Sequence, residues 1–62
     1  MKMDEIIGVI ASLASSQGFY GRLYNNILDL KKNDKKGYNK LKRTMESQNF
    51  RDPVDVVMWI EQ

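Results

Sequence analysis

Thirteen residues, Lys31 to Arg43, hold seven of the chain's ten basic side chains (Lys31, Lys32, Lys35, Lys36, Lys40, Lys42 and Arg43) against one acid, Asp34. The chemistry open to such a segment is phosphate recognition. Lysine and arginine neutralise a nucleic-acid backbone, and Tyr38 in their midst offers a ring on which a base could stack. On a helix, Lys36, Lys40 and Arg43 would share one side at i, i+4 and i, i+3 spacing, close enough to straddle a backbone. Lys36, Tyr38, Lys40 and Arg43 are therefore the candidate nucleic-acid residues. Outside this segment stand three bases and seven acids, so a chain of net charge +2 is polarised rather than uniformly basic.

Most other chemistry is missing. The sequence has neither cysteine nor histidine. That removes disulfides, thiolate nucleophiles, the usual zinc ligands and the commonest general base. The acids are dispersed and most suit helix starts, so the spacing pairs no two carboxylates. We expect no catalytic residue, no cofactor and no metal. The string Ser15-Ser16-Gln17-Gly18-Phe19-Tyr20-Gly21-Arg22 could present helix N–H groups, hydroxyls and a guanidinium to an anion, but it matches no phosphate-loop or dinucleotide fingerprint. Structural duties account for its glycines more simply: Gly18 as a helix-ending residue and Gly21 as a point of close helix approach. Gly8, Ser12 and Ser15 form a row of small residues that a partner helix could approach closely.

Something must position these groups, and 62 residues allow one domain at most, spanning 1–62. Apolar residues recur at helical spacing. Met3, Ile6, Ile7, Ile10, Leu13 and Ala14 make one face of a first helix over Met3 to Ala14, with Asp4 and Glu5 in its first turn. A second helix carries Phe19, Leu23, Ile27 and Leu30 and runs to about Lys32. Asn33-Asp34-Lys35-Lys36-Gly37 reads as a polar connection of about five residues, longer than the turn of a helix-turn-helix. A third helix from about Tyr38 to Gln48 has only a thin stripe, Tyr38, Leu41 and Met45. Asp52-Pro53-Val54-Asp55 then signals a fourth helix: an N-cap, a proline at the first position and a carboxylate where a capping box needs one. Because Val54, Val56, Val57 and Ile60 are β-branched, a terminal strand is the competing reading, though no partner strand is evident. The expected fold is all-α, a small bundle of three helices plus a short fourth. Its expected core is Ile6, Ile10, Leu13, Phe19, Leu23, Ile27, Leu30 and Leu41.

The fourth helix is apolar nearly all the way round, so it is buried on more than one side or awaits a partner. That marks Trp59, Tyr20, Tyr24 and Met58 as candidate contacts for a protein partner or a second copy. Met1-Lys2 before an apolar stretch has the outline of a secretory signal, but Asp4 and Glu5 put negative charge where such a signal is positive. No stretch approaches the length of a membrane span. A cytoplasmic location with no membrane contact is expected.

Ser16-Gln17-Gly18-Phe19-Tyr20-Gly21-Arg22-Leu23, followed by Asp52-Pro53-Val54-Asp55, resembles short helical proteins of bacteriophages, prophages and their bacterial hosts. The resemblance covers about a fifth of the chain and implies a small intracellular accessory protein acting on a host protein. The expected function is thus a non-catalytic protein-interaction module of phage or prophage type. The alternative is a nucleic-acid-binding accessory protein using segment 31–43.

Overall fold

The computed structural model describes every residue, Met1–Gln62, and shows four helices with no strand: α1 (Met3–Ala14), α2 (Gly18–Asn33), α3 (Lys35–Glu46) and α4 (Pro53–Ile60). The all-α bundle with a short last helix is as expected, and residues 54–60 form that helix rather than a strand.

Local chemistry explains each start. The Glu5 carboxylate accepts from the Lys2 backbone N–H at 3.2 Å, so the first turn of α1 has its acid where the helix dipole is positive. Asp52 caps α4 by accepting from the Asp55 N–H at 3.3 Å, and Pro53 occupies the opening turn, where its missing N–H costs nothing. Between α3 and α4, Asn49 adopts φ 55°, a left-handed conformation that asparagine tolerates better than most side chains.

Three expectations need correction. The five-residue connection between the second and third helices is a single residue, Asp34. Its N–H closes α2 by donating to Leu30, while its carboxylate accepts from the Gly37 N–H at 3.0 Å and opens α3. The turn-forming residues around it are helical because one aspartate satisfies both ends. Gly18 does not end α1. Ser15 closes that helix, no glycine has positive φ, and Gly18 is the first residue of α2 after Gln17.

The core is the third correction. Ile6, Ile10 and Ile27 are buried as expected, but Leu13, Leu23, Leu30 and Leu41 are half-buried, and Phe19 is 52% exposed. The interior is completed instead by Met3, Tyr20, Tyr38, Met45, Phe50 and Val56. On α2 the inward direction is set by Tyr20 and Ile27, seven residues and two turns apart, which rotates neighbouring Phe19 by about 100° toward the surface. The tyrosine takes the interior because its hydroxyl finds a partner: it donates to Glu61 at 2.6 Å.

α1 is the hub. It packs against α2, α3 and α4, whereas α4 brings its backbone close to α1 alone. A hydrogen bond from the Met3 N–H to the Glu46 carboxylate, 2.7 Å, ties the start of α1 to the end of α3. Because α4 stands off from α2 and α3, the bundle is closed on one side and parted on the other.

Candidate functional site

The parting is an apolar groove of about 310 Å³ lined wholly by hydrophobic side chains. Phe19 and Leu23 of α2, Leu41 and Met45 of α3, and Trp59 and Ile60 of α4 form its walls. Met45 and the nearby Ile27 are almost fully buried and lie deepest; Phe19 rises at the edge with half its surface open to water. No polar side chain lines the groove, so it offers area and shape but no hydrogen bond by which a small polar ligand could be oriented.

Of the four residues expected to meet a protein partner, one lines this groove and one lies exposed on the outer side of α4. Trp59 is half-buried, lines the groove and packs edge-on against Phe50, with centroids 5.9 Å apart and planes at 65°. Met58 lies on the outer side of α4, 64% exposed, one turn from Val54 at 61%. Tyr24 is half-buried against the core. Tyr20 is 1% exposed, so its ring is spent on the interior. The hydrogen bond to Glu61, desolvation and the nearby carboxylate charge all raise its phenol above the ordinary value. The groove residues Phe19, Leu23 and Leu41 were read from the sequence as core. What could have exposed them is the alternative phase of α2, in which Tyr20 rather than Phe19 points inward.

The basic candidates divide as well. Lys36, Lys40 and Arg43 are exposed on α3. Tyr38 is buried, 9% exposed, with the Lys31 ammonium 5.8 Å from its ring centroid, so it is not open for stacking on a base. The Ser15 and Ser16 hydroxyls donate back to the carbonyls of Ser12 and Leu13, leaving no assembled anion cradle at the start of α2. Gly21 is not required by a close approach: a Cβ there would sit 3.6 Å from the Ala14 carbonyl oxygen, an ordinary van der Waals contact. No group of three or more carboxylates could hold a metal ion, and no helix is long and apolar enough to cross a membrane.

Set beside known protein families, curated proteins and solved structures, the chain matches none of them.

Proposed function

We propose that the protein is a small, intracellular, non-catalytic interaction module whose groove receives a helix, and that the helix it receives is α4 of a second copy. The observation that carries this reading is the groove: three helices contribute only apolar side chains to it, and Phe19 stands half-exposed at its lip. An apolar cleft of this kind is costly to leave in water and inexpensive to fill.

The chain itself supplies a ridge of matching character. Val54 and Met58, spaced i, i+4, project from the outer side of α4. Trp59 follows Met58 about 100° further round the helix, so α4 carries the ridge on one side and a wall of the groove on another. Charge favours the same pairing. Asp52, Asp55 and Glu61 give the ridge a negative border, while Arg22 follows Phe19 by three residues on α2, at the groove's edge. Opposed fields of this kind steer two copies together before contact.

Sedimentation equilibrium tests the proposal. Self-association is expected, weakening as salt is raised because the steering charges are exposed. Phe19→Asp on the lip and Met58→Asp on the ridge should each shift the equilibrium toward monomer while leaving helical circular dichroism unchanged, since both side chains are already open to water. A chain that stays monomeric at high concentration overturns the second copy as occupant. Binding of an amphipathic peptide by that monomer, reported by Trp59 fluorescence, would assign the groove to a different protein.

A further inference from the structure

Four of the basic residues on α3 have no structural employment. Lys31 and Lys32 close α2, where positive charge suits the dipole, and Lys31 also covers the Tyr38 ring. Lys35 and Lys36 are different. They sit in the first turn of α3, which holds no acid, whereas the first turns of α1 and α4 hold Asp4, Glu5 and Asp55. Positive charge at the positive end of a helix lowers stability, and a local rule broken in this way marks a functional surface. Lys40 and Lys42 follow on the same exposed helix. The carboxylates nearest in sequence are already engaged: Asp34 accepts from the Gly37 N–H at 3.0 Å and Glu46 from the Met3 N–H at 2.7 Å.

We propose that the outer face of α3 binds double-stranded DNA in its major groove. Lys36, Asn39, Lys40 and Arg43 recur at i, i+3, i+4 and i+7, so they form one row, and all four are exposed. The row lies across the helix from Leu41 and Met45, leaving the apolar groove free while DNA is bound. Lysine and arginine reach phosphates, and the Asn39 amide between them can meet a base edge. A duplex is favoured over a single strand because α3 exposes no aromatic ring for stacking; Tyr38, its one aromatic residue, is buried beneath Lys31. DNA is favoured over double-stranded RNA because a helix ~10 to 12 Å across fits the B-form major groove, and the A-form groove is too narrow.

The full chain is to be titrated with a labelled DNA duplex of ~20 base pairs, its single strand and the RNA duplex of the same sequence at several salt concentrations. The DNA duplex should bind tightest, with log K falling against log salt at a slope of about −3, three phosphate contacts at ~0.9 each. The triple variant Lys36→Gln, Lys40→Gln, Arg43→Gln should lose most of that slope and at least ~10-fold of the low-salt affinity. Arg51→Gln, an exposed base outside α3, should bind as the parent does. Lys36→Gln alone should weaken binding and raise the melting temperature, a combination that a structural lysine would not give. The proposal is overturned by no binding at low salt, by single strand or RNA binding as tightly as duplex DNA, or by a triple variant that binds unchanged.

Discussion

α1 and α3 are both 12 residues long, and they occupy opposite situations. α1 buries Met3, Ile6 and Ile10 and touches every other helix; α3 buries Tyr38 and Met45, half-buries Gly37, Leu41 and Glu46, and turns its remaining residues to water. One helix is stabilised by what surrounds it. The other is held by a few specific attachments: the Asp34 cap, the Lys31 ammonium over Tyr38 and the Glu46 bond to α1. The lesson is a division of labour within a very small fold. α1 buries three residues, α2 and α3 two each and α4 one, so the helices that bury less than α1 have length to spare for charge and open apolar surface.

The sharpest way to break the comparison is to truncate one residue on each helix. Ile10→Ala removes a side chain with no exposed surface and should lower unfolding free energy by ~2 to 5 kcal/mol, a large share of a small domain's total. Leu41→Ala, half-buried on the groove wall, should cost well under half as much, because water already reaches the space it vacates. Denaturant unfolding measures both. Equal losses would mean that α3 belongs to the same closed core as α1.

A smaller effect comes from the glycines, one on each helix. A Cβ at Gly8 in α1 meets nothing within 4 Å, so Gly8→Ala should stabilise by about 0.5 to 1 kcal/mol through helix propensity alone. At Gly37 in α3 the added atom would lie 2.7 Å from the Asp34 carboxylate and force the cap aside. Gly37→Ala should therefore gain nothing or lose stability, since a cap contributes ~1 kcal/mol, similar to the propensity gain. Thermal melts of the two variants read the difference directly.

The smallest expected effect is a dependence on pH at the junction of α2 and α4. The Tyr20 phenol is raised above 10.0 in the folded chain by its bond to Glu61, by desolvation and by the carboxylate charge. A raised folded value means that the unfolded chain ionises first. The contribution is fully present below pH 10.0 and declines as pH rises above it. Tyr20→Phe should flatten the alkaline limb of a stability–pH curve while leaving its neutral region nearly level. An unchanged alkaline limb would show that the phenol is not held by Glu61.

Much of this architecture was legible in the residues. The bounds of α1 followed from apolar spacing, and Asp52-Pro53 announced α4, because both signals act within a single turn. The junction of α2 and α3 was misread for a reason that is equally local. Asn33 to Gly37 are turn formers by composition, and only the double use of Asp34 makes them helical. The groove was hidden because it depends on rotation about the α2 axis, and the hydroxyl contact across 41 residues that favours Tyr20 inside over Phe19 has no signature in spacing. Phe50 was missed altogether, since a buried residue between helices belongs to no periodic stripe. The basic row of α3 was visible from charge and spacing alone, and Tyr38 was read both in the apolar stripe and as a ring for stacking; its burial decides for the stripe.

The two hydrogen bonds that fasten the far parts of the chain, Met3 to Glu46 and Tyr20 to Glu61, span 43 and 41 residues. Closing loops of that length is entropically expensive, so these contacts arise after the helices have formed locally and after α1 has met α2. α4, whose backbone comes close to α1 alone, is expected to dock late and leave early, which faster amide hydrogen exchange in α4 than in α1 would show. Contacts made late affect the rate of unfolding far more than the rate of folding. On that expectation the wall of the groove that carries Trp59 opens first, and a ligand seated there would act as a kinetic clasp, slowing the departure of α4 without hastening its arrival.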